Sequence, residues 1–322
     1  MVQIEHYIYI RKYKKKIRKE RIRGTERMAH ASACFFSLPH HTLPSSCRNI
    51  HSSNQNIPAR PPLELPVPMA RAASDGSVNL LHAAKRAVDS YVTSGMVVGL
   101  GSGRASFLAI QHLGRRLRDG SLRDVTGIPT SVSSASEAAK AGIPLEDYRD
   151  SLQIDFAFMD ADIIEEDTLA AVIGRRKLEG GESIIQEKSV MKTASNLTFI
   201  VPDKQYGKGL DGSIPVLVNT GNWMETAEEI DDLFLGDAEV WRRPTFGHAD
   251  PHGGNFPLVT SEGHHVLDVI FTSPILDLAQ VAKDLDRIDG VVDHGVISSI
   301  PSTAIVVSKT GVTVVNNIVE TT

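Results

Sequence analysis

Apolar positions recur at helical spacing from Leu80 through Leu81, Ala84, Val88 and Tyr91, and then the period changes. Met96 to Leu100 is a short apolar run that reads as a strand, and Gly101-Ser102-Gly103 follows it at once. Phe107, Leu108, Ile110, Leu113 and Leu117 mark an amphipathic helix, and Asp124 to Ile128 reads as a second strand. Ser133 to Ala141 is an alanine-rich helix with Gly142 as its expected C-cap. Further apolar runs, Leu152 to Met159 and Leu197 to Val201, end at Asp160 and at Pro202-Asp203-Lys204. Strands alternating with helices predict right-handed βαβ units and a mainly parallel sheet.

After Lys208 the rhythm differs. Pro215 to Val218, Ala238 to Trp241 and His265 to Phe271 read as strands, and Pro274 to Ile288 as a helix. Val291-Val292 and Thr303 to Val307 are expected to return to the first sheet. The predicted fold class is therefore α/β, a Rossmann-like parallel sheet with helices on both faces. Residues 78–207 and 287–316 make up that domain, and 208–286 form a smaller α+β domain.

Charge divides the chain of 322 residues in two. Residues 1–70 hold 12 Lys and Arg against 4 acids, leaving 22 basic against 35 acidic residues in the rest. An acidic body argues against nucleic-acid binding, because a phosphate backbone rewards basic surface. No window is apolar enough for a membrane span. Both cysteines, Cys34 and Cys47, fall in the leading segment, so the body has no thiol chemistry and no cysteine-based zinc site. Residues 1–75 are expected to be an N-terminal segment outside the fold. Residues 28–62 lack Asp and Glu and are rich in Ser, His and Pro, as in a chloroplast transit peptide, whereas 1–27 read as a gene-model extension before Met28.

Gly101, Ser102, Gly103, Arg104 and Ala105 lie between a strand and a helix, where backbone N–H groups and a helix N-terminus favour an anion. The spacing matches neither a dinucleotide fingerprint nor a Walker loop, so a small phosphate monoester fits better than a nucleotide, and a plain tight turn is the alternative. Asp160, Asp162 and Lys204 stand at strand ends, where open parallel sheets bind ligands. If Glu182 to Ser195 is helical, Glu187 projects into a stripe of Ile184, Val190, Met191 and Ala194. A carboxylate in such a setting suits a general base; ion pairing with Lys188 or Lys192 on the surface is the other reading. His248-Ala-Asp250-Pro-His252-Gly-Gly-Asn255 resembles the HxDxxxxN loop of aminoglycoside-type phosphotransferases, with Asp250 as base and Asn255 as metal ligand. Those kinases need an upstream nucleotide lobe with a strand Lys and helix Glu, and the sequence upstream alternates β and α instead. His248 and His252 are a weak candidate metal pair.

Taken in order, these pieces resemble ribose-5-phosphate isomerase, type A. Gly99 to Gly103 is similar to the family's GxGTGST loop, Ile128 to Ser131 with Ala141 to Leu145 to its IPTS…GIPL segment, and Phe158 to Asp162 to its DGADE stretch. Gly180-Gly181 through Lys188 resembles GGGG…REK, Pro202 to Lys204 resembles DxSK, Gly254 to Phe256 resembles DNGNF, and Gly290 to Gly295 resembles GVVENG. The resemblance implies isomerisation of ribose 5-phosphate and ribulose 5-phosphate through a cis-enediolate, without metal or cofactor. It implies Glu187 as base, Asp160 or Asp162 in ring opening, and Lys204 beside the oxyanion. Gly101, Ser102, Gly103, Arg104, Ala105, Gly180 and Gly181 would hold the substrate, and the chain would work as a homodimer or dimer of dimers in the chloroplast. Departures mark a divergent member: Arg104-Ala105 replaces Ser-Thr, and Leu178 or Glu179 replaces a lysine. A catalytically weak paralogue is the runner-up. A sugar-phosphate sensor of the DeoR type is disfavoured, because no helix-turn-helix precedes the domain.

Overall fold

The computed structural model describes residues 75–149, 152–175, 183–246 and 256–316. Helix α1 (Asp75–Tyr91) leads to β1 (Val97–Leu100), α2 (Arg104–Arg118), β2 (Thr126–Pro129) and α3 (Val132–Ala141). Strands β3 (Phe156–Met159), β4 (Ile163–Glu165) and β5 (Ala171–Val172) follow, then α4 (Ile184–Thr193) and β6 (Leu197–Pro202). After β7 (Tyr206–Gly207) come β8 (Leu210–Val218), α5 (Trp223–Leu233), β9 (Ala238–Arg242) and β10 (His265–Ile275). Helix α6 (Leu278–Leu285), β11 (Val291–His294), β12 (Val296–Ile297), β13 (Ser302–Ser308) and β14 (Gly311–Asn316) complete the chain.

The main sheet has the order β14-β13-β6-β3-β1-β2, parallel except for β14 at its edge. From β1 the chain steps outward to β2, then returns to place β3 on the other side of β1. The carboxyl ends of β1 and β3 therefore form a topological switch point, the usual ligand crevice of such sheets. Side chains alternate across the sheet with the strand period. Phe156 and Phe158 join α1, α2 and α3 in one core, whereas Ala157 and Met159 join Ile184, Val190 and Met191 of α4 in another. A third core lies under the antiparallel sheet β11-β8-β10-β9, covered by α5 and α6.

Local chemistry fixes the helix ends. Ser131 and Ser134 form a reciprocal capping box at the start of α3, and Gly142 closes it at φ 74°. Ser183 caps α4 by accepting from the Gln186 amide.

Helix α4 sits on the sheet because Gly99 has no side chain. A Cβ there would stand 2.8 Å from both Ala157 Cβ and Val190 Cγ1. Its first turn reaches the carboxyl edge, where Gln186 Nε2 donates to Pro129 O at 3.2 Å. Its far end lies at the opposite edge, where Ser195 N donates to Ile154 O at 2.8 Å.

A buried polar group anchors the same helix laterally. Lys188 Nζ reaches Asp293 Oδ1 at 2.5 Å and the His294 carbonyl at 2.9 Å. His294 Nδ1 accepts from Val296 N at 3.1 Å, so its Nε2–H is the donor to Asp286 Oδ1, also at 3.1 Å. Burial, then the Lys188 cation, favours the neutral ring and lowers His294 from 6.5 to about 4 against the pull of Asp286 and Asp293. Burial likewise lowers Lys188, with Asp293 opposing it.

Two expectations need correction. The segment from Pro274 begins in strand: β10 continues to Ile275, and the helix starts only after Asp277, whose carboxylate caps Gln280. Val291-Val292 belongs to β11, which pairs with β8 in the antiparallel sheet rather than joining the parallel one. Thr303 to Val307 does return, as β13 beside β6. Helix α5 and the small sheet β12-β5-β4-β7 were not foreseen.

Two outcomes follow from this packing. Gly99→Ala should lose about 1–3 kcal/mol of stability in urea melts through overpacking; an unchanged midpoint contradicts the close seating of α4. Unfolded, His294 takes up its proton near pH 6.5, but folded only near pH 4, so stability falls as pH falls through that window. The loss should reach at most about 3 kcal/mol, and His294→Gln should flatten it relative to the unmodified chain.

Candidate functional site

The carboxyl edge of the parallel sheet gathers the ends of β1, β3 and β6 and the first turn of α4. Gly101 is drawn onto β3: its N–H donates to Phe158 O at 3.0 Å. A Cβ at Gly101 would stand 2.6 Å from Phe158 O and 2.9 Å from Met159 Cα, so the close approach requires glycine.

Helix α2 then begins without a side-chain cap, its N-cap being Gly103 at φ 128°. Asp160 supplies what the loop lacks. Its Oδ1 accepts from Ser106 N at 2.8 Å and its Oδ2 from Ala105 N at 3.1 Å. The Asp160 residue is only 9% exposed. A carboxylate at the positive end of a helix, taking two first-turn amides, is well placed electrostatically. Both carboxylate oxygens of Asp160 thus meet the first turn of α2, and the Ala105 amide serves a carboxylate of this chain.

Ser102 turns toward the neighbouring strand end. Its Oγ lies 3.1 Å from Thr130 Oγ1 and donates to Ser131 Oγ at 2.8 Å, joining the loop to the cap of α3. Arg104, the first residue of α2, is exposed, as is Lys204 in the 3-10 turn Asp203–Gln205 after β6.

Asp162 is half-buried, and its Oδ2 accepts from Arg175 N at 2.9 Å. Arg175 donates onward through Nη2 to Asp211 O at 2.9 Å, and through Nε to Ser213 O. Burial lowers the Arg175 guanidinium, opposed by Asp162, Asp211 and Asp268. Gly174 touches α4, since a Cβ there would fall 2.5 Å from Ile184 Cδ1. Asp162 and the start of α4 are thus linked by one short segment.

Glu187 lies in the first turn of α4 and is half-buried. Ile184, Val190 and Met191 are buried as the stripe predicts, but Ala194 is extended, beyond the helix. Lys188, a surface ion-pair partner of Glu187 in the alternative reading, is 6% exposed and belongs to the Asp293–His294 anchor. A cleft of about 400 Å³ flanks the same turn, lined by Pro129, Tyr148, Gln186, Ser189 and Glu262. Glu187 is not part of its lining, so the cleft is adjacent to the candidate chemistry rather than its location.

Gly180 and Gly181 lie outside the described residues, as do His248, Asp250, His252 and Asn255. Among the described residues, no three His, Cys, Asp or Glu side chains are grouped to hold a metal ion. Sequence reasoning missed Arg175 and the roles of Asp293 and His294. The last two sit within the Gly290-to-Gly295 motif, which was the available signal.

The chain is similar to known proteins in both sequence and fold. The sequence pattern of ribose 5-phosphate isomerase A (phosphoriboisomerase A) matches residues 126–311. The chain is 34% identical over 243 residues to "Ribose-5-phosphate isomerase A" of Gluconobacter oxydans, covering 75% of this chain and 97% of that one. It is 29% identical over 290 residues to "Probable ribose-5-phosphate isomerase 3, chloroplastic" of Arabidopsis thaliana, covering 88% and 99%. Among solved structures, the ribose 5-phosphate isomerase from Plasmodium falciparum superposes with a TM-score of 0.65 at 28% identity, covering 75% of this chain and 99% of that one. A D-ribose-5-phosphate isomerase in complex with phospho-erythronic acid gives 0.65 at 26% identity, covering 75% and 99%. A family match over more than half of the chain, and a relative 34% identical over nearly its whole length, show that this protein belongs to the ribose 5-phosphate isomerase A family.

Proposed function

We propose that this protein interconverts D-ribose 5-phosphate and D-ribulose 5-phosphate through a cis-enediolate. The observation that carries the reading is the position of Glu187, in the first turn of a helix whose start lies at the carboxyl edge of the family's parallel sheet. Asp162 assists ring opening, because Asp160 is already engaged by two helix amides. Glu187 takes the proton from C2 of the open-chain aldehyde. The C2–H electron pair forms the C1=C2 bond, and the carbonyl electrons move to O1. A proton passes from O2 to O1, and Glu187 returns the first proton to C1, leaving a ketone at C2. Lys204 and backbone N–H groups stabilise the developing oxyanion. The Gly101-to-Arg104 loop holds the remote phosphate, whose binding energy orients the reacting carbons, and Gly180 and Gly181 are further substrate-binding residues.

The acid-free, Ser-rich stretch 28–62 and the name of the Arabidopsis relative support a plastid destination, where the substrate pair would belong to carbon fixation. A second reading, a catalytically weak sugar-phosphate binder, is favoured by the departures from the family's motifs: Arg104-Ala105 stands where the loop has Ser-Thr, and Leu178 or Glu179 where it has a lysine.

Glu187→Gln separates the readings. It should leave affinity for phospho-erythronic acid within a factor of about 2 and cut kcat by about 100-fold or more, the usual weight of a general base. Unchanged turnover in the folded variant contradicts the role of Glu187, and a chain with binding but no turnover before mutation is the weak binder.

A further inference from the structure

The bidentate seat of Asp160 has a consequence for the substrate. The positive end of α2 offers its first-turn amides to one anion, and the chain's own carboxylate holds two of them, at 2.8 and 3.1 Å. A phosphate could not use the Ala105 and Ser106 amides without displacing Asp160. If it came alongside, it would face a second negative charge in a poorly solvated place. The loop cannot swing clear, because Gly101 is hydrogen-bonded to Phe158 O and packed against Met159 Cα. Beneath it, Ser106 Oγ is fully buried and, among the described residues, has no hydrogen-bond partner. That oxygen lies 2.6 Å from where a Gly101 Cβ would stand. The cradle thus keeps a donor hydroxyl without an acceptor beside an acid that fills its amides. Arg104 adds the complement: it is an exposed cation at the first position of the helix, next to the two amides that Asp160 holds.

We infer that Asp160 is the residue that sets how tightly this protein holds the phosphate of its substrate, acting as a resident anion that keeps the ester off the Ala105 and Ser106 amides and leaves it to Arg104. The inference rests on the isomerase reading for the identity of the ligand, but not on turnover. Asp160 in this account determines affinity and leaves the proton transfer to Glu187. Its removal acts on KM, whereas loss of a purely structural cap would lower thermal stability and leave KM alone.

The test measures binding of inorganic phosphate and ribose 5-phosphate by calorimetry, and KM and kcat where turnover is present. It compares the full chain with Asp160→Asn and Asp160→Gly. Both variants should bind phosphate about tenfold more tightly, the scale of a charge effect at a partly buried helix terminus, and KM should fall in parallel with kcat little changed. Tighter binding in a chain without isomerase activity upholds the inference and refutes the isomerase reading. Unchanged or weaker binding in folded variants of an active enzyme overturns the inference and leaves the isomerase reading standing. If neither variant folds, phosphate is titrated into the unmodified chain while the amide resonances are followed. Ala105 and Ser106 unmoved at saturation supports the inference, and large shifts at both overturn it.

Discussion

The close seating of α4 on the sheet is the constraint from which the rest of the site follows. Gly99 has no side chain to hold Val190 off the sheet, so the helix lies directly on β1 and β3. That seating fixes its direction, with Gln186 at the end of β2 and Ala194 near the start of β3. Glu187 then arrives at the same edge as the glycine loop, without any residue of its own having to reach far. The Lys188 anchor adds rotational control, since a buried ammonium must keep its partners Asp293 and His294. A neutral His294 suits that pairing, because a second cation beside Lys188 would have little water to screen it.

Two buried charges therefore act on opposite sides of the sheet in the same manner. Lys188 ties α4 to β11, and Asp160 ties the end of β3 to α2. Each is satisfied by groups far away in sequence, and each lies at the margin of the candidate site. The first holds a catalytic element in place. The second takes up electrostatic capacity that a phosphate would otherwise use, so the same carboxylate that completes the helix also tempers the site.

Much of this was legible beforehand. The alternation of strands and helices through Val201 gave the parallel sheet, Gly142 closed its helix as expected, and Ile184, Val190 and Met191 marked the buried face of α4. The resemblance to the isomerases was carried by short motifs in collinear order. What could not be read had physical reasons. Strands β4, β5 and β7 have two or three residues, too few for any periodicity to show. Pro274 looked like a helix start, but it sits in β10 where the ladder shifts register between Phe271 and Ile275. Asp160 looked like a free strand-end acid because its partners, Ala105 and Ser106, lie more than fifty residues earlier. The burial of Lys188 could not be read because its partners come 105 and 106 residues later.

The central claim is that the chemistry happens where the first turn of α4 meets the carboxyl ends of β1, β3 and β6. A crystal structure with phospho-erythronic acid bound tests it most directly. The account predicts the acid's carbon chain at that edge, with the Glu187 carboxylate within about 3.2 Å of its reacting end and its phosphate toward Arg104. A ligand seated elsewhere, with Glu187 remote from its carbon chain, contradicts it.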